Sequence, residues 1–199
     1  EADPNYADCY WQLGTVMLFT DDEQKALENY TKAIEHDPVK LDYYLDLADL
    51  YSRWAEDQLA LKEYEILARI EPEDETHLVN LGEQYFQRGD KAKAIEIWKR
   101  IIVKKTPEAY ARLAEVYAEH DMGAEAIDMY MKAIALKPKE PQFYRGLAGV
   151  YERQRQDDRA IEAWEKVMEL TRGDATLKPT RREARTRIVS PPDGDAVEM

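Results

Sequence analysis

Cysteine occurs once, at Cys9, so no internal disulfide can form and a disulfide-stapled scaffold is excluded. Glycine is scarce at eight residues, phenylalanine at three and histidine at three, which leaves little material for phosphate-cradling loops or histidine-rich metal sites. Apolar runs are short. Val16-Met17-Leu18-Phe19 is typical, far below the roughly 20 residues of a membrane-spanning helix. Positive charge is also in deficit: 28 Lys and Arg stand against 41 Asp and Glu, for a formal net charge of −13. Such a balance disfavours phosphate backbones, so neither nucleic acid nor membrane is an expected partner. No secretory leader opens the chain, and with the lone thiol this points to the cytoplasm. The first residues, Glu1-Ala2-Asp3, lack an initiator Met and read as the start of a piece of a longer protein.

What is abundant is large aromatic rings, with 13 Tyr and four Trp among 199 residues, and they recur at a fixed interval. Leu13, Leu47, Leu81, Leu113 and Leu147 are separated by 34, 34, 32 and 34 residues. The same steps connect Gly14, Ala48, Gly82, Ala114 and Ala148. They connect Met17, Tyr51, Tyr85, Tyr117 and Tyr151, then Ala26, Ala60, Ala94, Ala126 and Ala160, and finally Tyr30, Tyr64, Trp98, Tyr130 and Trp164. Five series in one register, all sharing one two-residue contraction, define five internal repeats. The contraction lies between Trp98 and Leu113 and is expected in the connection at Lys104-Lys105-Thr106-Pro107.

Each repeat reads as two helices. Tyr44, Leu47, Ala48 and Tyr51 fall at i, i+3, i+4 and i+7, a helical stripe, and a second stripe follows after a short polar turn. Carboxylates at Asp21-Asp22, Asp57, Asp90 and Asp157-Asp158 are expected to cap the second helices, with Met122-Gly123 a poorer start. Pro38, Pro72, Pro107 and Pro138 stop them. Small residues at the Gly14 and Ala26 series let paired backbones approach, and the rings fill the gaps beside them. Trp98 and Trp164 are therefore core.

This pattern resembles the tetratricopeptide repeat, in which an aromatic precedes Leu-Gly, then Tyr, Ala, an aromatic, Ala and Pro. The first unit carries it as Tyr10, Leu13-Gly14, Met17, Ala26, Tyr30, Ala33 and Pro38, the fourth as Tyr110, Leu113-Ala114, Tyr117, Ala126, Tyr130, Ala133 and Pro138. The other units depart at Leu67, Ile101 and Val167, and the fifth lacks its closing Pro. The resemblance implies an all-α fold, a right-handed superhelical solenoid of five antiparallel helix pairs. The expected organisation is a lead-in at 1–6, repeats at 7–40, 41–74, 75–106, 107–140 and 141–174, a capping helix at 175–189 and a flexible acidic tail at 190–199. The cap is the one basic element, with six Lys or Arg against two acids over residues 172–189.

Function then rests on the concave face, which in related repeats is lined by the first helix of each unit. The resemblance places Trp11 and Phe19 there from the first unit and Asp42, Asp46 and Asp49 from the second. Asn80, Glu83 and Phe86 follow from the third unit, Arg112 and Glu115 from the fourth. The family's Lys/Asn/Arg clamp for a C-terminal carboxylate has no counterpart, since Trp11, Thr15, Asp46, Thr76 and Asn80 occupy its positions. Acid is there instead, with Asp42, Asp46 and Asp49 at i, i+4 and i+7 on one helical face. The expected role is a scaffold or adaptor whose groove takes a basic or amphipathic segment of a protein or peptide ligand. The alternative is a structural solenoid fragment that self-associates, as a homo-oligomer, through its groove or its basic C-terminal helix. No catalytic, metal or cofactor set is expected: His36, His77 and His120 fall at unrelated repeat positions, and the Glu71-to-Glu75 acids lack the spacing of a calcium loop.

Overall fold

The computed structural model describes residues 4–174 and 176–189. The 190–199 tail and residues 1–3 of the lead-in lie outside the described residues. Among the described residues there are eleven α-helices and no strand, and the first ten helices are sequential antiparallel pairs. The chain divides into two compact units, residues 1–100 and 101–199.

The first unit holds α1 (Pro4–Phe19), α2 (Glu23–His36), α3 (Leu41–Arg53), α4 (Asp57–Ile70), α5 (Glu75–Gln87) and α6 (Lys91–Trp98). Residues 4–6 of the expected lead-in are thus already helical. In this unit the alanine and aromatic series meet as the spacing requires: Ala26 and Tyr30 of α2 pack with Leu47 and Leu50 of α3, while Ala7, Ala33 and Tyr43 form an adjoining cluster. Gly82 shows why the small position matters. A Cβ there would stand 2.1 Å from Nε1 of the fully buried Trp98, so the α6 ring lies directly on the α5 backbone. That indole donates to the Val79 carbonyl at 3.2 Å.

The second unit holds α7 (Pro107–Glu119), α8 (Gly123–Leu136), α9 (Pro141–Arg153), α10 (Asp157–Leu170) and α11 (Lys178–Val189). Its last core cluster joins Ala148, Ala163, Trp164 and Val167 to Ala184 of α11, with Ile188 packed alongside. Arg181, where the repeat register fails, donates to the Thr171 carbonyl at 2.9 Å and so closes the C-terminal end of α10.

The helix-pair turns use a device that their side chains conceal. Asp21, Ala55, Gly89, Asp121 and Arg155 all have positive φ, between 54° and 84°. The next residue in each turn, from Asp22 to Gln156, donates its N–H to a carbonyl five residues back, at 2.9 Å every time. This is the Schellman ending, normally given to glycine, yet Gly89 is the one glycine in the set. The residue after it is also the N-cap of the second helix. Asp22 and Asp90 accept from the N–H groups of Lys25 and Lys93. The caps of α4 and α10 are Glu56 and Gln156, with no side-chain cap bond, and Met122 likewise caps α8 without one. Asp57 and Asp157 therefore sit one residue inside their helices, where a carboxylate favours the helix dipole without capping it.

Pro107 starts α7 rather than stopping α6, and Thr106 caps it by accepting from the Ala109 N–H. The α6 helix continues as a 3-10 segment, Lys99–Lys104, leaving a two-residue connector at 105–106, where the other pairs are joined by four residues at 37–40, 71–74 and 137–140. The contraction seen in the repeat spacing is this shortened connector.

Candidate functional site

In the first unit the indole of Trp11 ties α1 to α3, its Nε1 donating to Asp46 Oδ2 at 2.6 Å. Trp11 is half-buried and tilts against the buried ring of Tyr43, with centroids 6.0 Å apart. The Lys40 ammonium lies 5.7 Å from the Trp11 ring and 5.4 Å from that of Tyr43. Lys40 and the Tyr43 hydroxyl both bond Asp8 Oδ1, at 2.5 and 2.6 Å. Burial pushes the Asp46 carboxyl above its usual range; the Trp11 bond opposes this, and Asp49 and Asp42 add to it. Asp42 and Asp49 are exposed, and Asp49 accepts the Tyr64 hydroxyl at 2.9 Å. A half-buried ring and three carboxylates thus share a patch with Thr15, which bonds the Trp11 carbonyl.

The remaining residues named from sequence in this unit are placed differently. Phe19 is 87% exposed at the end of α1. Asn80, Glu83 and Phe86 are half-buried on α5. Phe86 leans on Trp98 with centroids 5.7 Å apart, beneath the Lys91 ammonium at 5.3 Å, and Glu83 accepts from the Gln87 amide at 2.7 Å.

The second unit has a concave cavity of about 380 Å³, lined by residues of α7, α8, α9, α10 and α11. Its charge is mixed and largely paired internally. Arg145 bonds Glu183 at 2.8 Å, Arg187 lies 3.5 Å from Glu152, and Glu152 also accepts the Trp164 indole at 2.7 Å. Arg153 donates to the Ala118 carbonyl at 2.8 Å. Arg112 and Glu115 pair with each other at 3.2 Å. The acid expected at Glu115 is therefore met by arginine, and the capping helix supplies Glu183 and Arg187 to the lining. Sequence spacing could not find those two residues, because α11 has left the repeat register.

One face of α1 is open. This 16-residue helix has a single charged residue, Asp8, and exposes Tyr6, Leu13, Val16 and Phe19. At the positions matching Leu13 and Val16, the later repeats bury Leu47, Leu50, Val116, Leu147 and Val150 to 5% exposure or less. Leu13 thus departs from the core role its series gives it, since among the described residues no second helix covers that side of α1. Cys9, on the same helix, is exposed. His36 stacks between helices on Tyr10, centroids 5.4 Å apart.

A tetratricopeptide repeat family model matches residues 108–175, and a second tetratricopeptide repeat model matches residues 78–104. The general transcriptional corepressor ssn6 of Schizosaccharomyces pombe is 21% identical over 131 residues, covering 64% of this chain and 12% of that protein. The chain therefore spans only about an eighth of that relative. Among solved structures, the C-terminal part of a repeat-containing protein from Cytophaga hutchinsonii is similar at a TM-score of 0.64 and 18% identity, covering 94% of this chain and 75% of that one. A crystal structure of MamA is similar at 0.56 and 23% identity, covering 87% and 96%. MamA from Desulfovibrio magneticus RS-1 is similar at 0.55 and 18% identity, covering 85% and 97%. At such identities the likeness is one of fold. No described helix is long and apolar enough to cross a membrane.

Proposed function

We propose that this chain, which is a tetratricopeptide repeat protein, serves as a non-catalytic adaptor that takes up a basic or amphipathic segment of a protein partner. Proteins of this family mediate protein–protein interactions. The observation that carries the finer reading is the patch on α3 and α1, where exposed Asp42 and Asp49 flank Asp46 and the half-buried Trp11. A ring beside several carboxylates offers an apolar anchor and a field that favours Lys and Arg. The arginine-paired lining of the second unit lacks that bias. The direct test is fluorescence anisotropy with a Lys-rich amphipathic peptide against the wild type and the Asp42→Asn/Asp46→Asn/Asp49→Asn variant. Three partly exposed charges at roughly 0.2–1 kcal/mol each give about tenfold weaker binding. Added salt should erase the difference. Equal affinity of both proteins at low salt refutes the reading.

A second reading, self-association, is favoured by the open face of α1. A nearly uncharged helix can meet its copy without like-charge repulsion across the contact, and the matching positions of the later repeats are buried except at Gln84, which is half-buried. Sedimentation should then show a dimer that Leu13→Glu/Val16→Glu dissolves; a monomer at high concentration excludes it. The basic helix α11 is committed within its own unit through Arg145–Glu183 and Arg187–Glu152.

A further inference from the structure

The connection between the second and third repeats places three metal-ligand side chains around one point. Glu71 is the C-cap of α4, Asp74 is the N-cap of α5, and His77 follows in the first turn of α5. Among the described residues, these are the one group of three such side chains whose donor atoms all lie within 4.8 Å of one another. The His77 side chain is 10% exposed, and its Nδ1 is buried without a hydrogen-bond partner. A buried imidazole nitrogen with nothing to bond is rare in a folded chain. It faces Glu71 Oε2 at 3.8 Å and Asp74 Oδ1 at 3.6 Å. Those separations are too long for hydrogen bonds. They suit ligands sharing one ion, since two bonds of about 2.1 Å at a tetrahedral angle hold their donors about 3.4 Å apart.

We propose that Glu71, Asp74 and His77 bind a divalent transition-metal ion of the Zn²⁺ type, which staples the end of α4 to the start of α5. One imidazole and two carboxylates neutralise the ion's charge and favour Zn²⁺ over Ca²⁺ or Mg²⁺, whose sites are all oxygen. Asp74 Oδ1 also accepts the His77 backbone N–H at 2.9 Å, but a carboxylate keeps further lone pairs for a metal. Glu71 and Asp74 remain 50% and 39% exposed, which gives an ion a path in and lets water complete its coordination. Arg100 donates to the Pro72 carbonyl at 3.1 Å and so fixes the turn's backbone.

The test is calorimetric titration of the chelator-stripped full chain with ZnCl₂, together with thermal unfolding with and without the ion. One site per chain and a higher unfolding midpoint with Zn²⁺ are expected. Glu71→Gln and His77→Asn should each weaken uptake by at least about tenfold. Asp74→Asn should do the same while keeping the helix cap, because Asn caps as well as Asp. His36→Asn, His120→Asn and Cys9→Ser should leave it unchanged. Should His77→Asn fail to fold, the half-exposed Glu71→Gln still decides, as does the His77 ring signal of the wild type, which must shift on adding Zn²⁺. No uptake by the wild type, uptake undiminished in Glu71→Gln, or an unmoved ring signal overturns the site. CaCl₂ binding as well as ZnCl₂ would equally overturn the part given to the imidazole.

Discussion

Ala55→Gly should stabilise this protein, although glycine is ordinarily a destabilising replacement for alanine near a helix. Ala55 sits at φ 57°, in the left-handed region, and is exposed, so no packing is lost with its methyl group. A non-glycine residue held there costs roughly 1–2 kcal/mol. Against that, glycine makes the unfolded chain less restricted, by about 0.4–1 kcal/mol. The difference leaves a net gain of about 0.5–1 kcal/mol. Arg155, exposed at φ 54° in the other compact unit, should behave alike, and the gains of two sites that share no partner should add. The reverse change is the control. At Gly89, φ 84°, a new Cβ would find no atom within 4 Å, so the loss of about 1 kcal/mol expected for Gly89→Ala is conformational and not steric. Urea unfolding followed by circular dichroism gives the midpoints, with unchanged slopes showing that only stability moved. A destabilised Ala55→Gly together with a neutral Gly89→Ala would refute the argument, because the turn would then impose no left-handed requirement.

Further substitutions probe other contacts. Gly82→Ala drives a methyl group into the Trp98 indole and should cost about 1–3 kcal/mol, seen as a lowered thermal midpoint and a shifted tryptophan emission. Met122→Asp gives α8 the cap bond it lacks and should add about 1 kcal/mol; an unchanged midpoint would mean that the Met122 side chain matters more than the orphan amides. Asp46 has its carboxyl raised in the fold, so its charged form is disfavoured there: the cost is absent at low pH and full once pH exceeds the raised value. Asp46→Asn should therefore be as stable as wild type or more so at pH 7, while still accepting from Trp11. The difference should shrink as the pH falls into the range where the wild-type carboxyl is protonated, and a less stable variant at neutral pH would contradict this.

Five repeats were legible because their contacts demand specific sizes: a small residue at Gly82 or Ala48, a ring at Trp98 or Tyr64, each recurring wherever two helices meet. The turns were harder. Asp21, Ala55, Gly89, Asp121 and Arg155 share a backbone conformation and no side-chain chemistry, so the requirement is invisible in the letters. Asp57 and Asp157 drew attention as caps because carboxylates are good caps, while the true caps, Glu56 and Gln156, lie one residue earlier and make no side-chain bond. In the site, the acidic triplet on α3 followed from helical spacing alone. The Trp11–Asp46 bond and the arginines that meet Glu152 and Glu183 depend on neighbouring helices and on α11, outside any periodic pattern, whereas Arg112 and Glu115 pair at i, i+3 within α7. His77 was not joined to Glu71 and Asp74 from the sequence, because the three are spread across a chain reversal and not along one motif.

The residue that follows each left-handed turn position is at once the end of one helix and the beginning of the next. An insertion there would undo both closures together, whereas an insertion between successive hairpins would disturb neither, and 105–106 already differs in length from its counterparts. Foreign loops, tags or recognition segments should accordingly be accommodated at 37–40 or 137–140 and rejected at the hairpin tips.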